Sequence, residues 1–201
     1  MNRFVLATAA ALLAAVPGDL PFRDWFVSRS VRVEIAHPRD GPPWLRGTAD
    51  VSASSKKIAA IVTDFRAYPA IFAPAVKKAA VLESSGSSAR LHVVWPYPFP
   101  LRNRDAVVEY RFETLADGSF ALSWSGKARP GDPREGVRIK RVEGETRATA
   151  LSSGSSRVTY TYLGDLGGKF PRSAEEKAWR AEPVEYFRAL WRRLGIPEPS
   201  K

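Results

Sequence analysis

The chain has 201 residues, of which 44% are hydrophobic, and its formal net charge is +10. This length and composition predict one domain with a sizeable hydrophobic core and exclude a chain that is mostly disordered. The sequence has no cysteine and two histidines. It therefore excludes disulfide bonds, thiolate metal sites and a cysteine nucleophile, and we expect no cofactor.

The amino terminus has the pattern of a secretory signal peptide. Arg3 supplies a short positive region, and residues 4–16 form an uncharged, almost wholly apolar run that is too short to cross a bilayer as a helix. We predict a signal peptide over residues 1–18 and a single domain over residues 19–201 that is periplasmic or secreted. An uncleaved anchor and a misassigned start site are the alternatives. The domain keeps its strong positive charge, which favours transient contact with an anionic membrane surface and argues against nucleic acid.

In the first half of the domain, the spacing of apolar residues changes from that of a helix to the alternation of a strand, and then back to that of a helix. Leu20, Phe22, Trp25 and Phe26 are spaced as on a short amphipathic helix, and strict alternation then indicates strands. The predicted elements are a helix over 19–29, strands over 31–35 and 45–51, a helix capped by Ser54 or Ser55, and a short helix over 70–72.

The second half predicts an antiparallel sheet that ends in a long helix. The strands lie over 75–83, 89–95, 104–115, 120–124, 137–151 and 157–163, and serine- and glycine-rich turns separate several of them. The apolar phase slips between Ile139 and Val142, which indicates a bulge or bend. A terminal helix runs to Leu194, and Pro183 should kink it or split it in two.

The stretch 95–105 is the most informative part of the sequence. It alternates three prolines with Trp95, Tyr97 and Phe99 and then continues into a basic cluster. Each proline removes a backbone donor, so no regular strand runs through this stretch, yet it is too apolar for an ordinary solvated loop. We infer that this Pro-aromatic segment (residues 96–103) covers another part of the molecule.

Strand parity assigns a group of aromatic residues to one face of the sheet. Two readings stay open for them: they line a ligand tunnel, or they pack against the terminal helix as a solid core. The group comprises Tyr110, Phe112, Phe120, Trp124, Tyr160 and Tyr162.

The order of elements and four short motifs resemble the START domain, the lipid-transfer module related to steroidogenic acute regulatory protein, in its bacterial form. The motifs are Thr63–Pro69, Trp95-Pro96 with Arg104-Asp105, Arg157–Tyr162 and Gly167–Pro171. The resemblance implies an α+β helix-grip fold. In it, a curved antiparallel sheet wraps around a long C-terminal helix, with two short helices after the second strand. It also implies a tunnel for a lipid, a sterol-like molecule or another apolar ligand, gated by the Pro-aromatic segment and the terminal helix.

From parity and the resemblance together we predict twelve ligand-binding residues and a monomer that binds its ligand without catalysis. They are Trp95, Tyr97, Phe99, Arg104, Tyr110, Phe112, Trp124, Tyr160, Tyr162, Phe187, Leu190 and Trp191. We expect Tyr97, Phe99, Leu190 and Trp191 to form the gate. Arg104 either points inward or reaches water at the tunnel mouth.

Two other functions remain open at this point. One is an enzyme on the same scaffold, similar to the aromatase/cyclases, which needs an acid or base with a shifted pKa inside the tunnel. The other is an envelope interaction domain with a filled core and no ligand. The acidic residues Asp105, Glu109 and Glu113 alternate on one strand face, and we expect them on the solvent side of the sheet rather than in catalysis. His92 is expected to be a satisfied polar residue.

Overall fold

A computed structural model describes residues 16–139, 141–165 and 172–200. Most of the predicted signal peptide and the Gly167–Pro171 motif lie outside the described residues. The helices are α1 (Ser55–Val62), α2 (Tyr68–Ile71) and α3 (Arg172–Leu194), with a 3-10 turn at Phe65–Ala67. The strands are β1 (Arg23–Ser28), β2 (Val31–Ala36), β3 (Trp44–Val51), β4 (Lys78–Ser85), β5 (Ser88–Trp95), β6 (Arg104–Thr114), β7 (Phe120–Gly126), β8 (Val137–Arg138), β9 (Val142–Ser152) and β10 (Ser155–Gly164).

The described strands form one sheet in the order β1-β2-β3-β10-β9-β7-β6-β5-β4, and neighbours in this order are antiparallel. The two-residue strand β8 lies off this path and pairs with β6 in parallel. The β3–β10 pair joins the first part of the chain to the last. One face, here called the inner face, carries alternating apolar residues and packs against α3, which confirms the predicted helix-grip architecture.

The helix predicted over 19–29 is wrong, because residues 23–28 form strand β1. They pair with β2 from Arg23↔Ile35 to Ser28↔Val31, and the register shifts between Asp24 and Phe26. This irregularity disturbs the period-two alternation and leaves a spacing that imitates a helix. Three strands therefore precede the short helices instead of two.

The predicted break near Ile139 is present. The chain leaves β8 after Arg138 and enters β9 at Val142, so one predicted strand region becomes two strands with different partners. The Ile139 N–H donates to the Asp105 carbonyl oxygen over 2.8 Å, which holds the break against β6.

Two local contacts fix the short helices. Ser54 is the cap of α1, since its Oγ accepts a hydrogen bond from the Lys57 N–H over 3.4 Å. At the end of α2, Arg192 Nη2 donates to the carbonyl oxygens of Ile71 and Ala73, each over 3.1 Å. Arg192 thereby ties the carboxyl end of α3 to the end of α2.

Helix α3 runs through Pro183 as one helix, and it is not split there. It lies close to β3 at Gly47, where an added Cβ would lie 2.9 Å from Pro183 Cβ and 3.1 Å from Phe187 Cε2. A residue without a side chain is therefore needed beneath the helix at this point. Among the described residues, no helix has the length and apolarity needed to cross a membrane.

Candidate functional site

The inner face carries a row of aromatic residues across four adjacent strands. Tyr110 of β6 pairs with Trp124 of β7, Trp124 pairs with Gly144 of β9, and Gly144 pairs with Tyr162 of β10. Phe112 and Tyr160 belong to the neighbouring row, two residues away on their own strands. Strand parity thus predicted correctly that these aromatic residues share one face.

Gly144 allows the Trp124 ring to lie over its neighbouring strand. A Cβ on Gly144 would lie 2.6 Å from Trp124 Cε2, so any side chain there would displace the indole. In this position the Trp124 ring stacks on Tyr160, with ring centroids 5.6 Å apart and planes inclined by 26°. A glycine in β9 therefore lets aromatic residues of β7 and β10 meet.

Tyr186 of α3 completes this aromatic cluster, and the sequence analysis did not identify it. Its ring lies 3.9 Å from the Tyr160 ring with an interplanar angle of 8°, and 5.8 Å from the Phe72 ring at 18°. Its hydroxyl and Thr146 Oγ1 are hydrogen-bonded over 3.0 Å. Burial raises the pKa of the Tyr186 phenol, so it is neutral over the physiological range.

The aromatic side chains between the sheet and α3 keep a small accessible surface. They are 6–8% exposed, whereas the core side chains Leu91, Phe187 and Trp191 are 0–1% exposed. These residues are therefore buried, but each keeps a small part of its surface accessible to solvent. We call the region between the sheet and the helices that these rings line the aromatic cleft, and define it by Phe65, Tyr68, Tyr110, Trp124, Tyr160 and Tyr186.

A carboxyl group lies at one side of the cleft. Tyr160 donates its hydroxyl proton to Glu182 Oε1 over 2.9 Å. Burial raises the pKa of the Glu182 carboxyl, although the hydrogen bond from Tyr160 acts in the opposite direction. Burial and the charge of Glu182 both raise the pKa of Tyr162. Among the described residues, Glu182 forms no ion pair, so its buried charge is unfavourable.

Arg104 and the Pro-aromatic segment lie near this carboxyl group. Arg104 is 3% exposed, and its Nη1 donates to the Arg102 carbonyl oxygen over 2.5 Å. Its guanidinium lies 4.9 Å from the Tyr97 ring centroid. Burial raises the pKa of Tyr97, and Glu182 adds to this effect. The guanidinium of Arg104 is therefore buried. Of the two positions predicted for Arg104, the one in which it reaches water at the tunnel mouth does not occur.

The four residues expected to form a gate are not all brought together. Leu190 and Trp191 are each 1% exposed within the core, whereas Phe99 is 97% exposed. Tyr97 and Trp95 are half-buried. Leu190 follows Glu182 by eight residues, about 12 Å along a helix, so it is remote from the Pro-aromatic segment. A role of these residues in ligand binding stays a prediction.

The solvent position expected for Asp105 is wrong. Asp105 is fully buried on the outer face, where its Oδ2 accepts hydrogen bonds from Arg138 Nη2 over 2.7 Å and the Glu135 N–H over 3.0 Å. His92 Nε2 lies 2.8 Å from the same oxygen, whereas its buried Nδ1 has no hydrogen-bond partner among the described residues, so the expectation of a satisfied His92 is confirmed for one ring nitrogen only. Burial alone would raise the pKa of Asp105, but these hydrogen bonds and the Arg138 charge lower it below its usual value. Residues 127–138 cover the outer face here, a long-range contact that alternation within β6 cannot reveal.

A surface groove of about 620 Å³ lies between β1 and α3, outside the aromatic cleft. It includes four cationic side chains and two acidic ones among its lining residues. The charged residues are Arg29, Lys177, Arg180, Arg188, Glu176 and Glu185. An apolar guest would have to desolvate these charges, so the aromatic cleft is the better candidate for such a guest.

Comparison with known proteins gives a distant sequence relative. No protein-family model matches the chain. An uncharacterised protein of Pseudomonas aeruginosa, PA1579, is 24% identical over 173 residues, which cover 83% of this chain and 84% of that protein.

Several solved structures share the fold. The STAR-related lipid transfer protein of Xanthomonas axonopodis superposes with a TM-score of 0.73 at 20% identity and covers 86% of this chain and 98% of its own. The lipid transfer and protein localization domain of human StarD13 gives 0.73 at 19%, with 84% and 86% covered. The Zhui aromatase/cyclase of Streptomyces sp. R1128 gives 0.50 at 17%, with 75% and 94% covered. The chain therefore has the helix-grip fold of the START domains.

Proposed function

We propose that this protein binds a lipid or another apolar small molecule, without covalent chemistry, in the aromatic cleft between the inner face and α3. The observation that carries the proposal is the aromatic lining that the sheet and α3 share, where Trp124, Tyr160 and Tyr186 stack on one another beside the carboxyl group of Glu182. The names of two proteins with the same fold, which describe lipid transfer, support it.

The energetics of such a cleft favour an apolar guest. Each methylene that moves from water into apolar surroundings contributes about 0.8 kcal/mol. A guest of some twelve to sixteen carbons gains roughly 10 kcal/mol before the costs of ordering are subtracted. Few polar contacts are then needed, and Glu182 and the buried tyrosine hydroxyls supply them at the edges of the cleft.

The proposed site of action is the periplasm or the cell exterior, where the protein works as a monomer and meets an anionic membrane. Phe99 supports the membrane contact, because it is 97% exposed and is flanked by prolines that hold it away from the core. The exposed Arg102 beside it adds attraction to anionic headgroups.

The test is direct binding of three fluorescent probes that differ in shape: a nitrobenzoxadiazole-labelled stearate, dehydroergosterol and hydroxypyrene. We expect saturable one-to-one binding of at least one probe. Tyr110→Arg should weaken it about tenfold or more, since the substitution introduces an unpaired cation into the cleft. The matched control is Arg111→Ala, because Arg111 is the next residue of β6 and its side chain lies on the exposed outer face.

Circular dichroism and urea unfolding check that both variants fold. If Tyr110→Arg does not fold, the thermal midpoint of the wild type is measured with each probe instead, since a guest that binds only the folded state raises that midpoint increasingly as its concentration exceeds the dissociation constant. Absence of binding for all three probes contradicts the proposal. Equal binding by the two folded variants contradicts the assignment to the cleft.

One observation favours a second candidate, an enzyme similar to the aromatase/cyclases. Glu182 is a carboxyl with a raised pKa next to an apolar cleft, the property expected of a general acid or base. Its partner Tyr160 lies within hydrogen-bond distance. A flat polyketide-like probe that is converted by the wild type and not by Glu182→Gln would establish this function; unchanged probe after long incubation would exclude it for that probe.

A further inference from the structure

Four aromatic rings in the cleft form an approximately parallel stack. Phe72 faces Tyr186 at 18°, Tyr186 faces Tyr160 at 8°, and Tyr160 faces Trp124 at 26°. Phe72 directly follows α2, Tyr186 belongs to α3, Tyr160 to β10 and Trp124 to β7, so the stack joins the helices to the sheet. Edge-to-face contacts are common in cores, and such a run of parallel rings forms a slot whose walls are flat.

Tyr186 occupies the middle of this slot. Its ring stacks with the Tyr160 ring, 3.9 Å away between centroids, and with the Phe72 ring, 5.8 Å away. The ring edge is polar at one point only, where the hydroxyl meets Thr146 Oγ1 over 3.0 Å. Tyr186 is thus a flat ring with one hydrogen-bonding group, held between two flat walls and a neutral polar anchor.

This position is suited to an exchange between a side chain and a guest. Tyr186 lies on α3, three residues after Pro183, where the proline removes a backbone hydrogen bond from the helix. The residues on either side of the Tyr186 ring keep accessible surface, and Phe72 is half-buried. When the Tyr186 ring leaves, it exposes two aromatic faces and the Thr146 hydroxyl, which need replacement partners.

We propose that the guest is a flat, conjugated ring system with at least one hydroxyl or carbonyl group, an inference that rests on the proposed function. The guest replaces the Tyr186 ring between Tyr160 and Phe72, and its polar group forms a hydrogen bond with Thr146. A saturated polycycle carries hydrogens and methyl groups on its faces, and these hold neighbouring rings further apart than the Tyr160–Tyr186 spacing. The polar group is not anionic, because Thr146 is buried and neutral and the carboxyl group of Glu182 lies at one side of the cleft.

The experiment measures dissociation constants of hydroxypyrene, pyrene and dehydroergosterol by their own fluorescence. In the wild type, hydroxypyrene should bind about tenfold more tightly than dehydroergosterol. Thr146→Val keeps the shape of the side chain and removes a hydrogen-bonding hydroxyl from both the guest and Tyr186, so it should lower the preference for hydroxypyrene over pyrene about fivefold. The matched control Thr149→Val lies on the same strand at an exposed position and should change neither constant.

A second variant tests the exchange itself. Tyr186→Ala removes the ring that competes with the guest, so hydroxypyrene should bind severalfold more tightly than in the wild type, provided urea unfolding gives a folded variant. Tighter binding of dehydroergosterol than of hydroxypyrene by the wild type overturns this inference and leaves the proposed function intact. Equal weakening of pyrene and hydroxypyrene by Thr146→Val also overturns it, whereas failure of every probe, including the labelled stearate, contradicts both proposals.

Discussion

The contact between α3 and β3 offers a sharp test of how the helix closes over the sheet. Gly47 lies directly beneath Pro183 and Phe187, and its register partner on β10 is the cleft residue Tyr160. Gly47→Ala adds one methyl group at this contact. The new Cβ would lie 2.9 Å from Pro183 Cβ and 3.1 Å from Phe187 Cε2 if nothing moved.

The size of the effect follows from that geometry. Non-bonded carbons prefer a separation of about 3.5–4.0 Å, so the helix must withdraw by roughly 0.6–1 Å. Overpacking of this kind costs about 1–3 kcal/mol. Replacing glycine by alanine also restricts the unfolded chain, which offsets about 0.4–1 kcal/mol. We therefore expect a net loss of about 1–2 kcal/mol, or about 2–8 °C in the thermal midpoint for a chain of this size.

The assay is calorimetric and urea unfolding of the wild type, Gly47→Ala and the matched control Gly86→Ala. Gly86 receives the same methyl group in open space, with no atom within 4 Å. The control should be as stable as the wild type or slightly more stable. If Gly47→Ala and Gly86→Ala unfold at the same midpoint, α3 does not rest on Gly47 and the account of helix closure is wrong.

Three further variants test other parts of the structure. Asp105→Asn should lower the free energy of unfolding by about 3–5 kcal/mol, because it leaves the guanidinium of Arg138 without its carboxylate. Because the pKa of Asp105 is lowered in the folded protein, the difference in unfolding free energy between the wild type and Asp105→Asn is complete above the ordinary carboxyl pKa of about 4. It shrinks as the pH falls through the pKa of Asp105 in the folded state. Urea midpoints that differ equally at pH 7 and pH 2 contradict this. Glu182→Gln should gain stability relative to the wild type as the pH rises from 4 to 8. The wild type loses the contribution of Glu182 to its unfolding free energy as the pH passes the raised pKa of this carboxyl group, and glutamine does not titrate. A difference in unfolding free energy that does not depend on pH refutes the raised pKa. Phe99→Ser should change the unfolding free energy by less than about 0.5 kcal/mol, yet weaken sedimentation with anionic phospholipid vesicles severalfold, and unaltered sedimentation excludes Phe99 from membrane contact.

Properties that depend on local periodicity were predictable from the sequence. Alternation alone identified the shared face of Tyr110, Trp124 and Tyr162, because successive side chains of a strand point to opposite sides whatever the strand pairs with. For Arg104 the sequence left two positions open, inward or at the tunnel mouth, and the residue is 3% exposed. The resemblance then supplied the arrangement of sheet and helix, which composition and periodicity do not determine.

Properties that depend on distant contacts were not predictable in this way. Asp105 alternates like a solvent-facing residue, but residues 127–138 fold over it. The helical apolar stripe that the sequence predicts for α3 includes Phe187 but not its neighbour Tyr186. Because the sheet wraps around the helix, a wider part of the helix surface is buried, and Tyr186 is buried with Phe187. Six of the eight residues from Val184 to Trp191 are apolar or aromatic, and this density is the sequence signal that could have identified Tyr186.

The most direct test of the central claim is native mass spectrometry of the protein, purified gently from the cells that make it, followed by solvent extraction. The account predicts a complex one small molecule heavier than the polypeptide, and an extract that contains that apolar compound in one-to-one ratio. A protein that is found only at its polypeptide mass, and that takes up none of the apolar probes when they are added, would contradict the claim that the aromatic cleft holds a guest.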